Sequence, residues 1–366
     1  MYTNEMKKRI IFYMPSFEGG GVEKNIIMIA NYFIFKKANI SLITASSKIK
    51  SKFHKKIDII IPKSNFWANK KRFFKYFVSI ILLLKEYFKN KDFKVFCFQG
   101  NISCIILCKI LKIDIIIRPN SSPSGWSGNN FKKKLFSEVF SLTKKIIVNS
   151  YAFKRELKSE FNLNSKCIYN PLNINEINHL SKKKIKFNFF KKNSFNLISV
   201  GRLAEQKDHI TTLRAVNSIK NKINLRLLII GDGDQKNDLL NYIKKYKLNN
   251  IVRLHKRTDN PFPFILKSDA MVLASKFEGL PNILLEALVL KKFIISSDCP
   301  TGPSEILDQG KGGLLFEVGN FLDLGKKIIF LKRNYKSCLK KKKYAYGRMI
   351  RFDYKRNLEN YYNLFK

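Results

Sequence analysis

Two series of short apolar runs, each run followed by a stretch of helical periodicity, constrain this chain more than any other feature. The first series contains RIIFYM (9–14), ISLITA, DIII, VFCFQ and DIIIR; the second contains FNLISVG (195–201), LRLLIIG, IVRLH, AMVLA and FIISSD. Such runs suit strands buried on both faces, and their alternation with helices marks parallel sheets covered by helices. A chain of 366 residues is also too long for one ordinary core. Between the series, HLSKKKIKFNFFKKN (179–193) is basic and irregular and reads as the connection. The expected organisation is therefore an α/β domain over 1–178 and a second over 179–345. A helical stretch over 346–366, ending RNLENYYNLFK, is expected to return to the first domain. No internal repeat is visible beyond the shared α/β plan.

Charge narrows the partners less than its size suggests. Seventy Lys and Arg against 27 Asp and Glu give +43, a field that favours phosphates, nucleic acid or acidic lipid. The excess is mostly Lys, in a chain also rich in Ile, Asn and Phe, so AT-biased coding accounts for it equally well. Nucleic-acid binding without catalysis is a rival reading, but no recognisable RNA- or DNA-binding module supports it. With 45% apolar residues, a globular chain is expected. The six cysteines form no CxxC pair and no metal spacing with His, which fits reduced thiols in the cytoplasm. The N-terminus lacks a signal-peptide pattern. FVSIILLL (77–84) is far short of the roughly 20 residues a membrane span requires.

Three strand-end loops of the second series carry the chemistry. In SKFEGLPNILLEALVL (275–290), Pro281 suits the first turn of a helix, which puts Glu278 just ahead of it and Glu286 inside. Leu284, Leu285, Leu288, Val289 and Leu290 surround Glu286, and a buried carboxylate needs a partner. In SVGRLAEQKDH, Gly201 ends a strand, and Arg202 and Lys207 follow on the loop into the next helix. Two cations at a helix start suit a diphosphate. In LLIIGDGDQ, Gly231 and Gly233 permit a tight turn and close backbone approach. All three loops should lie along the carboxyl edge of one parallel sheet, where open α/β folds bind ligands.

Taken in order, SVGRLAEQKD, LLIIGDGD, AMVLASKFEGLPNILLEAL and SSDCPTGPSEIL resemble the consecutive donor-site motifs of glycosyltransferase family 4, retaining enzymes of the GT-B fold. GGGVEKNIIMIANYF resembles that family's N-terminal glycine loop and first helix, and the resemblance runs from about residue 9 to 320. It implies two Rossmann-like domains with parallel sheets facing across a cleft, the first binding the acceptor and the second a nucleotide-sugar. Glu286 would accept hydrogen bonds from the ribose hydroxyls, and Glu278 would face the transferred sugar. The backbone of Gly279, Leu280, Pro281 and Asn282 would bind that sugar's hydroxyls or the phosphate. Arg202 and Lys207 would hold the diphosphate and neutralise it as it leaves. Gly20, Gly21, Gly231 and Gly233 complete the implied nucleotide-sugar contacts. Neither an enzyme nucleophile nor a metal or other cofactor is implied.

Three departures stand out. Many members of that family carry a His near the end of an N-domain strand; here IIIRPNSSPSGW offers Arg118, Asn120 and Ser121, with Asn120 and Arg118 as substitutes. Lys291-Lys292-Phe293 replaces Gly-x-Pro, a surface difference. Asp232-Gly233-Asp234 spells the D-x-D of metal-dependent enzymes but reads as a glycine turn. Of the four histidines only His209, beside Lys207, falls near the site, and a helix surface is its expected place.

The resemblance implies transfer of a hexose or N-acetylhexosamine from a UDP-sugar to an envelope glycan or a polyprenyl-diphosphate-linked acceptor. GDP-mannose on the same fold is the alternative donor, and a catalytically dead sugar-binding relative is a further rival. NKKRFFKYFVSIILLLKEYFKNKDFK (69–94) is basic and amphipathic. It suits an acidic membrane surface on the cytoplasmic side, and suits an ordinary domain helix equally.

Overall fold

The computed structural model describes residues 8–120, 123 and 130–366, and the chain divides into two compact units. One is Met1–Pro171 with Tyr354–Lys366; the other is Leu172–Asp353.

The first unit contains strands β1 (Arg9–Tyr13), β2 (Ile40–Ile43), β3 (Asp58–Ile60), β4 (Phe93–Cys97), β5 (Ile115–Ile117), β6 (Lys145–Val148) and β7 (Lys166–Cys167). Its helices are α1 (Gly21–Phe35), α2 (Arg72–Lys89), α3 (Asn101–Ile110), α4 (Asn130–Ser141) and α5 (Tyr151–Phe161). The sheet is parallel throughout, in the order β3-β2-β1-β4-β5-β6-β7. Strand period explains why it is apolar on both sides. Ile10, Phe12 and Met14 pack with Ile26, Ile29 and Phe33 of α1, while Ile11 and Tyr13 pack with Leu83, Cys104 and Ile105 on the other face. The late helix Tyr354–Tyr362 belongs to this unit: Leu358, Tyr361 and Tyr362, with Phe365 just beyond it, lie in the α1-side core.

The second unit opens with α6 (Ile174–Ser181) and continues β8 (Phe195–Val200), α7 (His209–Ile219), β9 (Leu225–Ile230), α8 (Lys236–Lys245), β10 (Val252–His255), α9 (Phe262–Lys267) and β11 (Ala270–Leu273). There follow α10 (Asn282–Val289), β12 (Phe293–Ser297), α11 (Pro303–Ile306), β13 (Leu314–Phe316), α12 (Phe321–Arg333) and α13 (Tyr335–Gly347); Tyr354–Tyr362 is then α14. Its parallel sheet runs β10-β9-β8-β11-β12-β13. Strand order reverses between β8 and β11, the switch point at which adjacent strand-end loops diverge and leave a crevice.

Residue 178 lies inside α6 and residue 345 inside α13, whereas the units divide at Pro171–Leu172 and at Asp353–Tyr354. α6 packs on α9 and α10 and buries Ile177, which ties it to the second unit. Leu172 and Asp353 form an isolated parallel bridge, and the Leu172 N–H donates to the Phe352 carbonyl at 3.2 Å.

Candidate functional site

The loops after β8, β9 and β11 interlock at the carboxyl edge of the second sheet. Gly201 extends β8, its N–H donating to the Ile230 carbonyl at 3.0 Å. Leu203 then turns inward: its N–H donates to the Asp232 carbonyl at 2.9 Å and its carbonyl accepts from the Gln235 N–H at 3.0 Å. This close approach explains the glycine turn. A Cβ on Gly231 would stand 2.0 Å from the Gly201 carbonyl oxygen, and one on Gly233, whose φ is +150°, would stand 2.5 Å from that of Leu203. Asp232 and Asp234 point outward as exposed side chains, and Asp232 accepts from the Gly233 N–H. Among the described residues no cluster of three or more His, Cys, Asp or Glu could hold a metal.

Lys207 and Glu278 meet across the switch point. The Lys207 Nζ lies 2.5 Å from Glu278 Oε1, which also accepts from the Ser275 hydroxyl at 2.6 Å. Both side chains are largely buried, at 19% and 8% exposure. Removing one partner of such a pair leaves an uncompensated buried charge, a loss of about 3–5 kcal/mol. Neighbouring groups fix the Glu278 backbone: Thr301 Oγ1 donates to its carbonyl, and Gln206 Nε2 donates to that of Phe277 at 2.9 Å. Ser297 Oγ donates to the Ser275 carbonyl at 2.6 Å. Gly302, at φ +88°, lets the following turn press on Gly279 and Pro281; a Cβ there would lie 2.5 Å from the Gly279 carbonyl oxygen.

Pro281 is the N-cap of α10 and not its first helical residue, a shift of one place because its ψ of 101° is extended. Glu278 thus precedes the helix and Glu286 lies within it, 5% exposed among Leu285, Ala287, Leu288 and Val289. Arg202 is exposed on the loop after β8. Of Lys291-Lys292-Phe293, only Lys291 is a surface residue in full. Phe293 opens β12 at 1% exposure because its side chain enters the core between the sheet and α12.

His209 does not sit on a helix surface. It is the first residue of α7, 1% exposed, turned under the loop because Asp208 (φ +45°) directs the chain inward and caps the helix. Nδ1 lies 3.3 Å from Ser199 Oγ, while Nε2 has no hydrogen-bond partner among the described residues. Burial, aided by the Lys207 charge, pushes the imidazole down to about 4, with the Gly201 and Arg202 carbonyls pulling weakly the other way. Burial, with the Glu278 charge beside it, pushes the Cys299 thiol up to about 12. Both groups are therefore uncharged beneath the ion pair at neutral pH.

Sequence reasoning missed Ser275, Thr301, Gln206 and Gly302. The sequence does carry one signal, a Ser three places before Glu278 at a strand end.

The expected residues of the first unit sit at its own sheet edge. Gly20 is the extended N-cap of α1, with open space where a Cβ would be, and Gly21 is the first helical residue. The N–H groups of Glu18 and Gly19 both donate to Glu23 Oε1, so the glycine loop is closed by its own helix. Arg72 then pins Glu18 with two bonds, Nε to Oε1 at 2.8 Å and Nη2 to Oε2 at 2.5 Å. Asn120 follows β5, half-exposed, and Arg118 beside it is wholly buried. Ser121 lies outside the described residues.

Residues 181–348 match the model of a family described as Glycosyl transferases group 1. The amylovoran biosynthesis glycosyltransferase AmsD of Erwinia amylovora is 30% identical over 258 residues, 69% of either chain. A second relative is the N-acetylgalactosamine-N,N'-diacetylbacillosaminyl-diphospho-undecaprenol 4-alpha-N-acetylgalactosaminyltransferase of Campylobacter jejuni. It is 31% identical over 217 residues, 57% of this chain and 58% of the relative. An uncharacterised glycosyltransferase of Methanocaldococcus jannaschii is 36% identical over 225 residues, 56% of this chain and 54% of the relative. The chain thus spans a little over half the length of these last two. Among solved structures, Anabaena HepE in complex with UDP and glucose superposes with a TM-score of 0.78 at 16% identity, covering 98% of this chain and 99% of that one. At that identity the likeness speaks for the fold, which is GT-B.

Proposed function

The chain belongs to the glycosyl transferases group 1 family, and from that premise we propose that it is a retaining enzyme of family 4 acting in surface-polysaccharide assembly. It moves a hexose or N-acetylhexosamine from a UDP-sugar to a lipid-linked or envelope glycan acceptor. The observation that carries this reading is the Lys207–Glu278 pair at the β8/β11 switch point, where a cation and an acid stand side by side over a glycine-lined edge. The UDP and glucose of the HepE complex and the diphospho-undecaprenol acceptor named for the Campylobacter relative support the choice of donor and acceptor.

In this reading the bond between the sugar's anomeric carbon and the donor phosphate breaks, leaving an oxocarbenium-like sugar and a diphosphate. Arg202 and Lys207 neutralise the diphosphate, and such preorganised charge contributes most of the rate. Glu278, held by Ser275 and Lys207, orients the sugar's hydroxyls. Glu286 takes the ribose hydroxyls. The acceptor oxygen bonds to the anomeric carbon on the face the phosphate leaves, and the acceptor proton passes to a phosphate oxygen. Configuration is kept without an enzyme nucleophile, unlike retaining glycosidases with their carboxylate pair.

For the acceptor we assign an acidic bilayer surface to α2. Its Phe73, Phe77 and Phe88 are 74%, 56% and 74% exposed, beside Lys70, Lys71, Lys85 and Lys89. Aromatic rings on one side of a cationic helix suit an anionic interface. Among the described residues no helix is long and apolar enough to cross a membrane.

A thermal-shift panel of UDP-glucose, UDP-N-acetylglucosamine, UDP-N-acetylgalactosamine and GDP-mannose, followed by transfer assays with and without EDTA, tests the proposal. Stabilisation by a UDP-sugar and EDTA-resistant transfer are expected. Stabilisation by GDP-mannose alone refutes the donor, and activity restored only by Mg²⁺ or Mn²⁺ refutes the metal-free reading.

A further inference from the structure

Arg118 is the largest fully buried side chain among the described residues, and no carboxylate among them pairs with it. A guanidinium keeps its charge in a protein interior, so its donors must find other partners. Three neutral oxygens provide them. Nε donates to Tyr361 Oη at 3.0 Å, Nη2 to Asn170 Oδ1 at 2.5 Å and Nη1 to Asn120 Oδ1 at 2.9 Å. Tyr361 Oη donates onward to the Ile168 carbonyl at 3.1 Å, and the rings of Phe98 and Tyr361 flank the guanidinium at 5.6 and 6.0 Å. Tyr361 and Asn170 are buried; Asn120 alone is half-exposed, at the carboxyl edge of β5.

The Asn120 amide has one orientation in this network. Its oxygen accepts from Arg118, and its nitrogen donates to the Phe98 carbonyl. One N–H remains with no partner among the described residues. A cation bonded to an amide oxygen draws electron density from the nitrogen and makes its N–H groups stronger donors. We propose that Arg118 is a positioning residue that orients and polarises Asn120, so that the remaining N–H donates to a hydroxyl oxygen of the bound glycan acceptor. Tyr361, from the far end of the chain, holds Arg118 in place.

The inference rests on the glycosyl-transfer reading, and the test separates the two. Transfer is measured with acceptor varied at saturating donor, and rates are normalised to nucleotide-binding sites counted by titration, which removes misfolded molecules from the comparison. Asn120→Asp keeps the Arg118 contact but has no N–H. Its kcat/KM for the acceptor should fall about threefold to tenfold, as expected for a lost hydrogen bond between neutral groups, with the donor KM within about twofold of wild type. A wild-type value for Asn120→Asp overturns the inference while leaving the transferase reading intact. Wild-type protein that transfers no sugar overturns both. If Asn120→Asp binds no nucleotide, Tyr361→Phe decides. It removes one oxygen from Arg118 and should lower acceptor kcat/KM about threefold or more; an unchanged value overturns the inference.

Discussion

The carboxyl edges of the two sheets are held by different means. At the second sheet, each loop is fixed by the loop next to it: Leu203 by the Gly231–Gly233 turn, Glu278 by Thr301, and Lys207 by Glu278. At the first sheet, Glu23 closes the glycine loop from its own helix, and the other fixing groups come from outside the adjacent strand-end loops: Arg118 reaches Asn170 and Tyr361, and Arg72 of α2 reaches Glu18. Neighbour-to-neighbour fixing requires glycines and short polar side chains at fixed spacing, whereas remote fixing requires only that some distant side chain arrive with the right atom. The first construction leaves a pattern in the sequence; the second leaves isolated residues.

Lys207→Ala should produce the largest change. It removes the cation beside the departing diphosphate and unpairs Glu278, so kcat should fall by on the order of 10²-fold or more with donor varied at saturating acceptor. A smaller loss than that of Asn120→Asp would shift the chemistry to the first edge. Acid sensitivity should belong to the second edge as well. His209 is held down to about 4 when folded, against about 6.5 when unfolded, so the unfolded chain binds the extra proton between those values. Stability is full above about pH 6.5 and falls by about 3 kcal/mol as the pH drops through 4. In urea titrations His209→Gln should lose this part of the slope; an unchanged slope would place it elsewhere.

Glycine substitutions sharpen the contrast in packing. Gly231→Ala should destabilise by about 1–3 kcal/mol through its clash with the Gly201 carbonyl. Gly20→Ala meets open space and loses only N-cap preference, so it should cost less than about 1 kcal/mol. Equal shifts in Tm would mean the two glycine turns are constrained alike. On catalysis, Glu286→Gln should act less than Lys207→Ala, because it keeps shape and weakens bonds made equally in ground and transition states. Donor KM should rise about tenfold with kcat little changed. A lowered Tm with donor KM untouched would make Glu286 a structural acid.

The alternation of strands and helices, the parallel sheets, the loop positions of Arg202, Lys207 and Glu278 and the helical place of Glu286 were legible because each depends on local periodicity or turn chemistry. The Lys207–Glu278 bond was not, since spacing does not say which of two cations turns toward an acid 71 residues on. His209 was misplaced because its helix periodicity says nothing of the inward turn at Asp208, a left-handed residue that is not glycine. Arg118 was legible as a departure at a strand end, but its burial was not. An arginine in a basic chain is ordinarily solvated, and the oxygens that permit burial stand at 120, 170 and 361.

The place of α14 has a consequence during synthesis. The whole of Leu172–Asp353 leaves the ribosome before the helix that completes the first unit's core. At about 5–20 residues per second that interval is on the order of 10–40 s, long enough for the second unit to fold as a body of its own. Throughout it, the groove that will receive Tyr361, Tyr362 and Phe365 is open to water, and Arg118 lacks the hydroxyl that will hold it. The half of the molecule translated first is therefore the half that matures last.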